Sequence, residues 1–217
     1  MIDYQAARIK MVDNQIRTTD VTAHSVLEAF LSVPREAFVS DTMKPLAYID
    51  EDMQIAPGRY IMEPSPLAKL LQLAQISEHD VVLEIGCGAG YAAAVLSQLA
   101  GSVVAIESDE ALAAGATETL TKLGCDNVAV VTGPLEAGYP AEAPYDIIFV
   151  NGAVEIVPEA LISQLREGGR LVAVVGYGNA ARATVLVRAG ESYSKSEHFN
   201  TSVKPLPGFR RAAEFVF

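Results

Sequence analysis

The run Val82-Leu-Glu-Ile-Gly-Cys-Gly-Ala-Gly-Tyr91 holds the densest chemical signal in the chain. A short apolar stretch passes into Gly86, Gly88 and Gly90 and then into helix-forming residues. Glycines in such a turn let the backbone fold tightly and approach a ligand closely, at the carboxyl end of a strand, where open α/β sheets bind. A dinucleotide fingerprint wants glycine or alanine at its third place for close helix–strand packing, and Tyr91 stands there. Glu84 adds an acid two residues before the first glycine. That acid suits an ammonium and a sulfonium better than a pyrophosphate, so the loop points to S-adenosylmethionine, with S-adenosylhomocysteine as product, and away from NAD. Glu107 lies 23 residues beyond Glu84, at the end of the next apolar run. An acid there can accept hydrogen bonds from both hydroxyls of a ribose. Alternatively, Glu107, Asp109 and Glu110 would all favour the first turn of the next helix.

Other polar residues carry weaker signals. His24, His79 and His198 share no ligand spacing and Cys87 and Cys125 form no CxxC pair, so no metal site is expected. Cys87 reads as a small space-filler, without a partner for nucleophilic catalysis. His198 reads as a loop histidine. Asn151 follows the fourth apolar run and either points at a methyl donor or acceptor or caps a strand end. Arg59 beside Gly58 either pairs with an acidic substrate or sits on the surface. Ser65, followed by Pro66, reads as a helix cap.

These residues need a scaffold that brings loop ends together. Val81–Ile85, Val103–Glu107, Val128–Val131, Asp146–Val150 and Leu171–Val175 are nearly continuous apolar runs, the signature of strands buried on both faces of a parallel sheet. Helix-like stretches at 91–100, 109–123 and 158–166 separate them, which predicts a doubly wound, mostly parallel α/β sheet. Residues 133–144 read mostly as loop. Thr184–Arg188 and Arg211–Phe217 are strand-like with no convincing helix between them and are expected as an antiparallel pair at the sheet edge. Residues 1–80 read as a helical extension packed on a core of residues 81–217. In the extension, Ile9, Val12 and Ile16 fall on one helical face and Val26, Leu27, Phe30 and Leu31 on another, with Thr22 as N-cap. Leu67, Leu70, Leu71 and Ala74 form the inward face of a third helix.

Composition narrows the function classes. The 217 residues include 16 basic and 27 acidic side chains, a net charge of −11, and half are apolar. That composition is globular rather than disordered. A duplex-binding protein neutralises phosphates with clustered lysine and arginine, and no such cluster exists here, so nucleic acid is not an expected partner. Ile85 to Ile106 is uncharged for 22 residues, long enough to cross a bilayer. Its glycines break it into strand, loop, helix and turn, and a membrane span is rejected. Met1-Ile-Asp-Tyr-Gln lacks the basic and apolar regions of a secretory signal, and the sparse cysteines suit a reducing compartment, so a cytoplasmic address is expected.

Over nearly its whole length the chain resembles the protein-L-isoaspartate O-methyltransferases. The resemblance rests on Met11-Val-Asp-Asn-Gln-Ile16, Val33-Pro-Arg-Glu-Ala-Phe-Val39, Ala47-Tyr-Ile-Asp50, Leu83-Glu-Ile-Gly-Cys-Gly-Ala-Gly-Tyr91, Ala143-Pro-Tyr-Asp146 and Gly168-Gly-Arg-Leu-Val172. A general methyltransferase fold would supply the glycine loop and Glu107 but not the N-terminal motifs. The resemblance implies carboxyl methylation of isoaspartyl residues in a damaged protein or peptide. It places the methyl donor against Glu84, Gly86, Cys87, Gly88, Gly90, Tyr91, Glu107, Ser108, Pro134, Leu135 and Asn151, and the acceptor against Ile61, Met62, Glu63 and Ser65. Two departures stand out. Where the family has a catalytic serine in Thr-Ile-Ser-Gln-Pro, this chain has Tyr60-Ile61-Met62-Glu63-Pro64. Where the family has Gly-Asp-Gly after the third strand, it has Gly133-Pro134-Leu135-Glu136. Methionine offers packing and a weak acceptor sulfur in place of a hydroxyl, and Glu136 is the nearest substitute for the missing acid. Methylation of another acceptor and non-catalytic binding of the cofactor are the rival readings.

Overall fold

The computed structural model describes residues 2–210. Helix α1 (Tyr4–Met11) starts at Asp3, whose carboxylate accepts the Ala6 N–H at 2.9 Å, and runs on into a wider turn at Val12–Ile16. Val12 and Ile16 are buried as their spacing predicts, whereas Ile9 is 45% exposed. Helix α2 (His24–Ser32) buries Val26, Leu27 and Phe30. Thr22 is not its side-chain cap. Ala23 precedes the helix, and the N–H groups of Thr22 and Ala23 both donate to Gln72 Oε1, at 2.7 and 2.9 Å. Gln72 thus anchors the chain just ahead of the helix, and no side chain caps its first turn.

Strands β1 (Met53–Ala56) and β2 (Arg59–Ile61) form a short antiparallel hairpin, turned by Pro57 and Gly58, within the stretch expected to be helical. Gly58 has φ +69°, a conformation that a Pro-Gly turn supplies at low cost. Helix α3 (Pro64–Ala74) buries Leu67, Leu70, Leu71 and Ala74. It begins two residues earlier than its cap motif suggests, at Pro64 rather than Pro66. Ser65 lies inside its first turn and donates its hydroxyl to Asp50 Oδ2 at 2.6 Å, so it is not the N-cap.

The main sheet contains β3 (Val81–Ile85), β4 (Ser102–Glu107), β5 (Val128–Thr132), β6 (Tyr145–Val154), β7 (Leu165–Val175), β8 (Arg182–Ala189) and β9 (Ser192–Asn200). Their spatial order is β5-β4-β3-β6-β7-β8-β9. The first five are parallel, and β8 and β9 are antiparallel to their neighbours. The expected strand at 211–217 lies outside the described residues; the antiparallel partners of β8 are β7 and β9. Helices α4 (Tyr91–Ser97) and α5 (Glu110–Lys122) follow β3 and β4. Helix α6 (Glu159–Ile162) is shorter than expected because Leu165 already pairs with Tyr145 in the sheet.

Alternate strand residues feed two cores. Val82, Val103, Ile147, Phe149 and Val172 share one core with α2, α3, α4 and the N-terminal turns. Leu83, Ile85, Val104, Ile148 and Leu171 share the other with Leu135, Leu161, Leu206 and Phe209. The chain leaves β3 toward β4 and β5 and then returns to add β6 on the opposite edge of β3. That reversal places the loops after β3, β4 and β6 around one crevice, the usual ligand position in an open α/β sheet.

Candidate functional site

Gly86, Gly88 and Gly90 hold φ values of +82°, +57° and +92° as the chain turns from β3 into α4. A methyl group at Gly90 would lie 3.2 Å from Ala116 Cβ and Leu120 Cδ1, so close packing on α5 adds to the backbone requirement. The loop points its Gly88 N–H at Glu107 Oε2, 2.7 Å away. Glu107 is fully buried and also accepts the Ser108 and Asp109 N–H groups at 2.8 and 3.1 Å and the Ser108 hydroxyl at 3.3 Å. Helix α5 is capped by Asp109 instead, which accepts the Ala111 and Leu112 N–H groups, so capping is not what Glu107 does.

Arg59 completes the shell of Glu107. Its guanidinium forks onto the carboxylate, with Nη2 at 2.6 Å from Oε2 and Nη1 on Oε1, and both side chains are buried. Two-pronged pairing of this kind is the strongest form of arginine–carboxylate contact. Arg59 is therefore neither a surface residue nor free for an acidic substrate.

Glu84 accepts a hydrogen bond from Asn151 Nδ2 at 2.9 Å. Its Oε2 and Asn151 Oδ1 are buried without a protein partner, as groups awaiting a polar ligand would be. Burial, with Glu107 nearby, pushes the Glu84 carboxyl up to about 8, so it holds its proton near neutral pH. Cys87 is buried and its thiol is pushed up by the same cause, which suits a filler and not a nucleophile. Tyr91 turns into the N-terminal layer, with its ring 4.7 Å from the Arg35 guanidinium carbon and edge-on to Phe30 and Phe38. Leu135 belongs to the second core, and Pro134 leads into its turn. The Glu136 carboxylate abuts Gly208, where an added methyl group would lie 2.6 Å from Oε2.

On the acceptor side Ile61 and Met62 are buried, and the Met62 carbonyl accepts Arg35 Nη2 at 2.9 Å. The Glu63 N–H donates to Asp52 Oδ1 at 3.2 Å and the Ser65 N–H to Asp50 Oδ1 at 3.0 Å. Burial, reinforced by Asp52, Asp50 and Glu51, pushes the Glu63 carboxyl up to about 7. Arg35 and Asp50 lie inside motifs of the resemblance that gave them no role, and Asp52 and Leu206 lie outside every motif. The acidic run Asp50-Glu51-Asp52 was the available signal for two of them. His198 lies on β9, at the far edge of the sheet, 3.0 Å from the Ser196 hydroxyl. Among the described residues no group of three or more histidine, cysteine or acidic side chains is arranged to hold a metal.

The residue types fit a cationic nucleoside, and side chains of the same chain stand over the loop that would receive it. A methyl group at Gly86 would lie 2.7 Å from Leu206 Cδ2, and one at Gly88 would lie 2.9 Å from Ile55 Cδ1. The open faces of the loop are thus covered by the chain's own side chains. Room remains beside them, in a cleft of about 510 Å³ lined by Pro57, Gly58, Arg59, Pro205, Leu206 and Pro207 among others.

Comparison with known proteins agrees with the geometry. The model of the family described as protein-L-isoaspartate(D-aspartate) O-methyltransferase matches residues 6–206. The chain is 40% identical over 190 residues to protein-L-isoaspartate O-methyltransferase 1 of Syntrophobacter fumaroxidans, covering 88% of each chain. Against the Methanoculleus marisnigri protein-L-isoaspartate O-methyltransferase it is 43% identical over 169 residues, covering 78% of this chain and 77% of the other. A solved structure named protein-L-isoaspartate O-methyltransferase superposes with a TM-score of 0.81 at 28% identity, over 93% of this chain and 66% of that longer one. A Plasmodium falciparum structure of the same description, in complex with S-adenosyl-L-homocysteine, shares the fold at a TM-score of 0.79 and 17% identity, over 95% and 99% of the two chains.

Proposed function

This chain belongs to the protein-L-isoaspartate(D-aspartate) O-methyltransferase family, and on that premise we propose that it methylates a carboxylate, with an isoaspartyl residue of a protein or peptide as acceptor. S-adenosylmethionine supplies the methyl group when bound. The observation that carries this reading is the crevice itself: Gly86, Gly88 and Gly90 at the end of the central strand, flanked by Glu84 and Glu107. In it Glu84 and Asn151 carry the unpaired polar atoms, and Glu107 with Ser108 forms the acid-bearing wall. Gly86, Cys87, Gly88 and Gly90 supply close-approaching backbone, and Pro134 and Leu135 the apolar side. Tyr91 supports the loop from behind.

A carboxylate acceptor is already ionised at neutral pH and needs no general base, so positioning and exclusion of water do most of the catalysis. On this chain that positioning falls to the segment around Ile61, Met62, Glu63 and Ser65. Met62 is buried and gives no hydroxyl to orient a carboxylate. A second reading, methylation of a different acceptor, has one observation in its favour. Glu63, Asp50 and Asp52 line the acceptor side with acids, which repel an anionic substrate and favour a neutral or cationic one. No helix among the described residues is long and apolar enough to cross a membrane. A cytoplasmic setting suits the two unpaired thiols.

Calorimetric titration with S-adenosylmethionine and with NAD tests the cofactor half of the reading. Saturable binding of the first alone is expected; saturable binding of NAD instead would overturn it.

A further inference from the structure

The nucleoside half of the crevice is closed by this chain's own residues, and the closure is built rather than incidental. Glu107 receives six donors: the two arms of Arg59, the Gly88, Ser108 and Asp109 N–H groups and the Ser108 hydroxyl. A carboxylate offers about four lone-pair sites, so none is left for a ribose diol. Above it, residues 203–206 are bonded to the end of β6. The Ala153 N–H donates to the Lys204 carbonyl and the Leu206 N–H to the Ala153 carbonyl, each at 2.9 Å. The strap places Leu206 over both Gly86 and Gly152, where added methyl groups would each lie 2.7 Å from its side chain. Val203, Leu206 and Phe209 are buried. Lys204 ties the same strap to the hairpin side, with Nζ 5.5 Å from the centre of the Tyr60 ring and 3.8 Å from Asp52 Oδ2.

We propose that Arg59 and Leu206 form an intramolecular latch over the cofactor site, so that a ribose must displace the guanidinium from Glu107 before the nucleoside can seat. The proposal rests on the methyltransferase reading above and adds a regulatory step to it. Hairpin and strap meet at this point: a methyl group at Gly86 would lie 2.7 Å from Leu206, of the segment after β9, and 3.5 Å from Arg59 Nη2, of β2. The cleft lined by Pro57, Gly58, Pro205 and Pro207 lies directly outside them, and at about 510 Å³ it is of the size that small-molecule sites have. It is a vestibule from which a ligand reaches the latch. A ligand that binds only the opened form sees its affinity reduced by the fraction of molecules that are open. The latch therefore sets the cofactor concentration at which the protein becomes competent, and any partner that holds the strap or hairpin away raises apparent affinity without touching the ligand.

The test is calorimetric titration of the full chain and two variants with S-adenosylhomocysteine, with a thermal melt of each to establish that it is folded. Arg59→Gln keeps a donor near Glu107 but removes the fork; Leu206→Ala thins the strap and leaves the ion pair intact. Weak binding by the natural chain, and binding tighter by about 10-fold or more in either folded variant, is expected for a site open in one molecule in ten or fewer. Binding by the natural chain as tight as in both variants would overturn the latch and leave the methyltransferase reading standing. Absence of binding in all three would overturn both.

Discussion

A carboxyl group buried at the end of β3 responds to pH in the opposite sense from a paired surface acid. The Glu84 carboxyl moves from an ordinary 4.5 to about 8 on folding, chiefly through burial. Between those values the native state holds a proton that the unfolded chain has lost, so its contribution to stability, complete below about pH 4.5, drains away as pH rises toward 8. Glu63, raised to about 7, acts in the same direction over a narrower window. Thermal melts from pH 5 to 8.5 should show Tm falling with pH, and Glu84→Gln should flatten the slope; a variant with the natural slope would refute the assignment. At the acceptor side, Met62→Ser restores an oriented hydroxyl. Isoaspartyl methylation should rise by about 10-fold or more, a fraction of what a lost transition-state donor costs. Because Met62 is buried, the same change should lower stability by about 2–5 kcal/mol, the range for truncating a core methionine. An assay in which activity fails to rise while the fold survives would show that the hydroxyl is not what the site lacks.

Helix α3 shows how far periodic patterning reaches. Leu67, Leu70, Leu71 and Ala74 fall on one face by spacing alone and are buried in the structure. Elements fixed by distant partners were not legible in this way. The β1–β2 hairpin is only four and three residues long, too short for alternation to speak. The strap at 203–206 contains Pro205 and no periodicity, and its place is set by bonds to Ala153. The entry into α2 is held by Gln72, 50 residues along the chain. Glycine position was more readable, because a strand-to-helix turn demands it. Gly90→Ala should cost about 1–3 kcal/mol, since a side chain there must adopt a left-handed backbone and press on Ala116 and Leu120. Chemical denaturation measures the cost, and a neutral result would mean that the turn relaxes.

Across the whole molecule, two cores on either face of the sheet bring the loop after β3 and the end of β4 together with the acceptor segment and the strap. Glu84, Gly86, Gly88 and Glu107 were legible because local spacing carries them. The bond from Asn151 to Glu84 and the fork of Arg59 on Glu107 join residues 67 and 48 positions apart, and only the folded sheet reveals them. Arg59 is the clearest case: beside Gly58 it reads as a surface cation, and the hairpin carries it into the crevice. The most direct test of the account is methyl transfer itself. The natural chain is incubated with S-adenosylmethionine and an isoaspartyl peptide, beside the same peptide with an ordinary aspartyl residue, and the products are weighed by mass spectrometry. The account predicts a base-labile methyl ester on the isoaspartyl peptide alone; no ester on either peptide, or equal amounts on both, would contradict it.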